Sequence, residues 1–321
     1  MTVQILVLLL GLALVVAGAD ALVDGASSIA RRAGVSEFVI GLTIVGFGTS
    51  MPELVVSLSG ALEGNGDVSV GNVVGSNIFN VLMILGLTAV ISPLAVTREN
   101  FRRDIPLTLA FTLAFTLLWA LKLRFGLSLE ISRTEGAVFL VLFAIYIYFC
   151  FKCDKPDSAP DGASGGVAPC RGAAVSAALS LGGIAALCFG GRLFVDSAVG
   201  IARQLNVSDK FIAVTVLAGG TSVPELATCV VAAVKKRGQL ALGNILGSNI
   251  FNILLILGCS ALVRPIALSG MNAVDFLVFA GSVLLLWAAV LTCKGKKLSR
   301  AGGALMLLSF AAYFGYLFRS L

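Results

Sequence analysis

Adding 172 to a residue number carries the first half of this chain onto its second half without a gap. Asp24 falls on Asp196, Ser36 on Ser208, Glu53 on Glu225, Asn80 on Asn252 and Pro93 on Pro265. Between 46 and 80, 16 of 35 positions are identical to their partners at 218–252, far more than chance supplies. The matches concentrate in two blocks: G-T-S-x-P-E-L (Gly48–Leu54 and Gly220–Leu226) and G-N-x-x-G-S-N-I-F-N (Gly71–Asn80 and Gly243–Asn252). A duplicated chain must fold as two similar halves, so whatever one half contains, the other contains too.

Each half contains five apolar runs. They lie at 3–30, 37–62, 67–91, 104–122 and 134–152, then at 173–203, 209–234, 239–262, 272–293 and 300–318. Of the 321 residues, 58% are apolar and 12% charged, against about 45–50% and about 25% in soluble domains. That excludes a soluble enzyme, a disordered chain and a nucleic-acid-binding domain. A membrane-spanning helix takes about 20 residues, so ten spans leave room only for short loops. The expected fold is an all-α polytopic membrane protein of ten transmembrane helices. The first run lacks a basic leader and reads as the first span, not a cleaved signal. Residues 153–171 are rich in Pro, Gly, Ser and Ala and read as a flexible linker. They separate a first repeat, 1–152, from a second, 172–321.

Five is odd, so the second half must enter the membrane from the opposite side. The loops after runs 1, 3, 5, 7 and 9 carry 15 Lys and Arg, and the other ends carry 7, with Arg192 inside a run left out. The positive-inside rule puts the first set, with the linker, in the cytoplasm and both termini outside. An inverted-topology repeat is a transporter architecture, with the substrate site near the midplane where the repeats meet.

The chemistry expected there is narrow. With no His, the commonest general base and metal ligand is missing. The seven Cys form no disulfide framework. Cys188, Cys229, Cys259 and Cys293 read as small buried hydrophobes, and the C-x-x-C at Cys150–Cys153 lacks a redox or zinc context. Glu53 and Glu225 are the exception to an apolar interior. Each sits mid-span, at an insertion cost of about 2.5 kcal/mol or more, which marks an ion or proton path. No basic residue lies at the same depth in either repeat core to pair with them.

Their neighbours are oxygen donors. Pro52 and Pro224 break the helix hydrogen bonding and free backbone carbonyls around Gly48–Thr49 and Gly220–Thr221. Thr49 and Glu53, like Thr221 and Glu225, are four residues apart and share a helix face. Ser76 with Asn80, and Ser248 with Asn252, repeat that spacing in the next span. Carboxylate, hydroxyl, amide and carbonyl oxygens suit hard cations. Two glutamates neutralise one Ca²⁺, which accepts 6–8 oxygens in flexible geometry, while Mg²⁺ dehydrates reluctantly. Gly71 and Gly75, and Gly243 and Gly247, are spaced for close helix packing against the broken helices. Asn72 and Asn244 read as interhelical hydrogen-bond partners. Asp20, Asp24 and Asp196 read as interfacial carboxylates reaching water. Arg192 falls on Asp20 by register and breaks the charge symmetry without an explanation in the sequence.

The doubled blocks resemble the alpha-1 and alpha-2 repeats of the calcium/cation antiporter superfamily, in particular the prokaryotic sodium/calcium exchangers, over nearly the whole chain. The resemblance implies a ten-helix antiporter with four cation sites around the two glutamates. Glu53, Glu225, Thr49 and Thr221 would then hold Ca²⁺. Ser50, Ser222, Ser76 and Ser248, with the carbonyls of Gly46 and Ala218, would hold Na⁺ on the flanks, and Asn80 and Asn252 would line the middle. It also implies that spans 1 and 6 slide across the rest. Some relatives carry Asp where this chain has Asn252, so a third carboxylate is absent. The linker is too short for the calcium-sensing domain of the animal exchangers.

Three other readings compete. Gly64–Asp67 spells the G-x-G-D of intramembrane aspartyl proteases, but Asp67 falls in a loop and its repeat partner is Gln239. A passive channel could use the same oxygens. A Ca²⁺/H⁺ antiporter would let the glutamates carry protons, whereas hydroxyl-lined flanks favour Na⁺. The expected location is a bacterial-type plasma (inner) membrane. Besides Ca²⁺, Na⁺ or H⁺ and the bilayer, no cofactor, nucleic acid or protein partner is implied.

Overall fold

The computed structural model describes residues 2–152, 171–205, 218–268 and 271–320. It is nearly all helix. In the first half α1 spans Thr2–Ala33, and α2 (Glu37–Thr49) and α3 (Met51–Glu63) follow at a 48° bend. Next come α4 (Gly66–Ile91), α5 (Asn100–Arg124) and α6 (Arg133–Lys152). In the second half α7 spans Ala173–Gln204, a helical turn covers Ala218–Gly220 and α8 spans Val223–Val234. The chain then runs through α9 (Gly238–Val263), α10 (Ala273–Leu291) and α11 (Arg300–Ser320).

Eight of these helices are long and apolar enough to cross a membrane, and the bent α2–α3 pair makes a ninth. The expected run at 209–234 is described only from Ala218 onward, so the first part of the tenth span, 209–217, and Ser208 before it lie outside the described residues. Of the linker only Arg171 is described, and Cys153 falls outside with the rest.

Small residues set how close the helices come. A Cβ on Gly243 or Gly247 of α9 would run into the backbone of Phe38 and Leu42 in α2. The G-x-x-x-G spacing therefore lays α9 directly on the broken helix of the other half. The counterpart for Gly71 and Gly75 would be 210–214, outside the described residues. Along α1 and α7, Gly18 and Gly183 face each other's backbones in the same manner, and the two long helices pack as a pair. Burial then ranks the helices: α9 and α4 are the most enclosed, while α6 and α11 face outward over most of their surface.

Two features were not legible beforehand. Four two-residue strands form between loops: β1 (Leu94–Ala95) pairs antiparallel with β4 (Lys297–Leu298), and β2 (Glu130–Ile131) with β3 (Ile266–Ala267). Segments this short carry no periodicity of their own. Each ladder joins a loop of one half to a loop of the other. Second, α4 and α9 are not regular. Each widens into a π-helical stretch at the same repeat position, Phe79–Leu85 and Phe251–Ile256. Such widened turns occur mostly as local features and often at functional sites. The four-residue spacing of Ser76 and Asn80 therefore does not run along a uniform α-helical stripe.

Candidate functional site

The site begins at the two prolines. Pro52 has no N–H for the carbonyl of Gly48, so the helix opens there. Ser50 takes φ −83°, ψ 9°, and its repeat partner Ser222 takes φ −88°, ψ 9°. Both fall in the sparsely populated bridge region where active-site residues recur. A new helix starts at each break, with Glu53 in the first turn of α3 and Glu225 in the first turn of α8. The helix dipole favours negative charge at that end.

Burial is complete: Glu53 is 1% exposed and Glu225 0%. Among the described residues neither carboxylate takes part in an ion pair. Their hydrogen bonds cross between the repeats instead. The Ser50 hydroxyl donates to Glu225 Oε1 at 2.9 Å, and the Ser222 hydroxyl donates to Glu53 Oε1 at 2.9 Å. Ser248 Oγ lies 3.5 Å from the same Glu225 oxygen. The second oxygen of each carboxylate, Oε2, is buried with no partner. Glu53 and Glu225 lie within electrostatic reach of each other, with Thr221 beside the first and Thr49 beside the second.

Neutral oxygens complete the cluster. Thr49 Oγ1 lies 3.1 Å from the Val45 carbonyl and 3.2 Å from Asn244 Oδ1. Thr221 Oγ1, Ser76 Oγ, Asn80 Oδ1 and Asn252 Oδ1 are all buried without a hydrogen-bond partner. With the two carboxylate Oε2 atoms, that makes six orphaned oxygens at the break and in the adjoining helices α4 and α9. Buried polar atoms are ordinarily satisfied. A group of acceptors and hydroxyls gathered around two carboxylates has the donor chemistry that a hard cation takes. Among the described residues there is no group of three or more His, Cys, Asp and Glu that could hold a metal ion. The donor set is thus two carboxylates with hydroxyl and amide oxygens, the hard ligands that alkali and alkaline-earth ions take.

The sequence candidates fall as follows. Glu53, Glu225, Ser50, Ser222, Thr49 and Thr221 meet at the two breaks, and Ser248 reaches Glu225 from α9. The Gly46 carbonyl accepts the Ser50 N–H at 3.1 Å and lies 3.5 Å from Thr49 Oγ1. Ala218 opens the second half's break. Asn72 Nδ2 bonds Ser57 Oγ at 2.9 Å and the Glu53 carbonyl at 3.1 Å, and Asn244 Nδ2 bonds Cys229 Sγ at 3.3 Å. Both are interhelical contacts beside the site.

Asp20 is exposed and Asp24 half-buried, in keeping with carboxylates that reach water, and both are ion-paired as well: Lys235 reaches them at 2.8 and 2.6 Å, and Arg171 reaches Asp24 at 3.2 Å. These partners lie more than 140 residues away in sequence, which local reading could not supply. Of the cysteines read as buried, only Cys229 is fully so, while Cys188, Cys259 and Cys293 are half-buried, at gaps or ends of the packed helices. Asp67 is exposed at the start of α4, away from the buried carboxylates.

Sequence reasoning passed over Asn77 and Asn249. Each is 1% exposed and bonds the amide of a site candidate in the opposite half, Asn252 at 2.8 Å and Asn80 at 3.2 Å. The signal was present, since both stand at the same position of the repeated G-S-N-I-F-N block.

Comparison with known proteins gives a consistent picture. A family model described as "Sodium/calcium exchanger protein" matches residues 3–152 and 175–319. The sodium/calcium exchanger MaX1 of Methanosarcina acetivorans is 32% identical, with 99% of each chain covered. The inner membrane protein YrbG of Escherichia coli is 36% identical over 87% of each. A solved structure of the sodium-calcium exchanger NCX_Mj, soaked with 2.5 mM Na⁺ and 0.1 mM Ca²⁺, superimposes with a TM-score of 0.83 at 32% identity, covering 98% of both chains.

Proposed function

The chain belongs to the sodium/calcium exchanger family of membrane transporters, and from that premise we propose that it exchanges Ca²⁺ for Na⁺ by alternating access. Ca²⁺ sits between Glu53 and Glu225 with Thr49 and Thr221. Na⁺ takes the flanking positions offered by Ser50, Ser222, Ser76 and Ser248 and the carbonyls of Gly46 and Ala218. Asn80 and Asn252 line the middle. The observation that carries this reading is the pair of fully buried glutamates whose outer oxygens have no partner and whose neighbours are all neutral oxygen donors.

The mechanism follows from charge balance. One Ca²⁺ neutralises both carboxylates, and Na⁺ ions on the flanks neutralise the same two. The loads compete because each satisfies the same negative charge. An empty site leaves two carboxylates uncompensated in low dielectric, and moving it across the barrier is costly. Exchange is then favoured over uncompensated movement.

The architecture in this reading is ten helices in two inverted five-helix halves, multi-pass in a cell (inner) membrane, with both termini outside and the linker cytoplasmic. The inverted arrangement is supported by the loop ladders. β1 follows α4 and β4 precedes α11, while β2 and β3 lie in loops that the odd-number topology assigns to the opposite side. The paired helices α1 and α7 slide across the rest to alternate access.

The test is ⁴⁵Ca²⁺ uptake into proteoliposomes driven by an imposed Na⁺ gradient, beside a parallel arm with an imposed pH gradient. Uptake in the Na⁺ arm alone is the expected result. Uptake driven by pH alone replaces Na⁺ with H⁺ as counter-ion, and efflux requiring no counter-ion makes the chain a channel.

A further inference from the structure

An asparagine amide has one end that suits a cation and one that repels it, and a flip of the side chain exchanges the two with little change of shape. Asn80 and Asn252 each turn the oxygen to the open side, and the reason lies in the opposite half. Asn77 Nδ2 donates to the main-chain carbonyl of Asn249 at 3.1 Å. A carbonyl can only accept, so the orientation of Asn77 is fixed by it. Asn77 Oδ1 is then left as an acceptor, and it takes Asn252 Nδ2 at 2.8 Å. Asn249 Oδ1 takes Asn80 Nδ2 at 3.2 Å. Both site amides have their NH₂ groups engaged, and their Oδ1 atoms stay buried and unpartnered.

We propose that Asn77 and Asn249 are positioning residues: each holds the amide of the other half's asparagine with its oxygen, and not its NH₂, toward the transported cation. This rests on the exchanger reading and deepens it. It makes the polarity of the site depend on the register between α4 and α9.

The test is calorimetric titration of the purified full chain with Ca²⁺. Asn77→Leu frees Asn252 to flip, and the dissociation constant for Ca²⁺ rises roughly tenfold, the worth of one buried hydrogen bond. A carboxylate presents oxygen in either rotamer, so N77L is silent once residue 252 is a carboxylate, and N252D and N77L/N252D bind Ca²⁺ alike. A role in packing alone would weaken N77L/N252D relative to N252D as much as it weakens N77L relative to the wild type. Wild-type affinity in N77L, or an N77L/N252D weaker than N252D by that same factor, overturns the proposal. If leucine is not tolerated, as judged by elution profile and melting temperature, N77A and N77A/N252D ask less of the packing and carry the same comparison. A wild-type chain that binds neither Ca²⁺ nor Na⁺ overturns the exchanger reading and this role with it. Wild-type binding with unchanged variants overturns this role alone.

A separate observation concerns charge. Lys235, just past α8, holds Asp20 and Asp24 of α1 at 2.8 and 2.6 Å. The 172-residue register carries Asp20 onto Arg192 and carries Lys235 back onto Glu63. The two partners of the ion pair therefore have counterparts of exchanged charge in the other half. Arg192 meets Asp196 at a loose 3.8 Å, the two side chains 84% and 70% exposed. Glu63, exposed at the end of α3, forms no ion pair among the described residues. Inverted repeats exchange roles between the two states of a carrier. We infer that Lys235 with Asp20 and Asp24 closes one end of α1 in the state seen here, and that Arg192 with Glu63 closes the opposite end of α7 in the alternate state. Two carboxylates grip Lys235, while Asp196 repels Glu63, so the first closure is the stronger.

This too rests on the exchanger reading, and its test compares Ca²⁺ affinity at the two faces of oriented vesicles. K235Q and E63Q shift the ratio of the two affinities in opposite directions, and the exchange E63R/R192E, which sets two carboxylates with Asp196 against one cation as at Lys235, shifts it past the wild type in the K235Q direction. An E63Q ratio equal to wild type, or shifted in the K235Q direction, overturns the latch. Loss of exchange in the wild type itself overturns the exchanger reading instead.

Discussion

The carboxylate oxygens of Glu53 and Glu225 each receive a serine hydroxyl from the other half, at 2.9 Å in both cases. The bond serves two ends at once. It uses the hydroxyl proton on Oε1, and it leaves the serine lone pairs and the carboxylate Oε2 for a cation. Ser50→Ala or Ser222→Ala removes that donor from a buried charged acceptor, a loss of about 1.5–3 kcal/mol. Either variant is expected to weaken apparent Ca²⁺ affinity by roughly tenfold or more in vesicle uptake while the chain still folds. Unchanged affinity would show that the serines do not shape the site. The carboxylates were legible because an acid in an apolar run has no bland reason to be there. The crossing of the serines was not, since Ser50 is adjacent in sequence to the Glu53 cluster yet bonds the glutamate 175 residues away.

At the scale of elements, the broken helix is what gathers the oxygens in the protein interior. Pro52 and Pro224 stop the helix hydrogen bonding, and the new helices α3 and α8 start with a glutamate in their first turn. Pro52→Ala restores an N–H that can continue the helix through Ser50. The expected outcome is a straighter α2–α3, intact folding and a sharp loss of Ca²⁺ uptake, read by transport and by melting temperature together. Transport at wild-type rate would mean that the bend is incidental. The break was legible from proline, and the close approach of α9 to α2 from the glycine spacing. The π-helical stretches were not, because Phe79–Leu85 and Phe251–Ile256 read as ordinary apolar helix.

Across the whole molecule, the duplication fixes the architecture. Loops of opposite halves pair through β1–β4 and β2–β3, and Arg237 reaches Glu37 at 2.8 Å while Arg171 reaches Asp24 at 3.2 Å. In the proposed topology each of these contacts joins two segments on one side of the membrane, β2–β3 on the side opposite the others. Single cysteines introduced at Thr2 and Ser320 are expected to react with an impermeant thiol reagent from outside intact cells, and one in the 153–170 linker is not. The reverse pattern would invert the orientation. The odd number of runs and the distribution of basic residues are what lead the sequence to this topology. The ion pairs of Lys235 were not, because they join residues more than 200 positions apart.

All three scales depend on two buried carboxylates holding one cation between the halves. The most direct measurement is Ca²⁺ titration of the purified chain by calorimetry, with Na⁺ as competitor, on the wild type and on Glu53→Gln and Glu225→Gln. The expected result is one competable Ca²⁺ per chain in the wild type and none in either variant, with melting temperatures showing that both variants are folded. Ca²⁺ bound equally well by a folded E53Q or E225Q would contradict it.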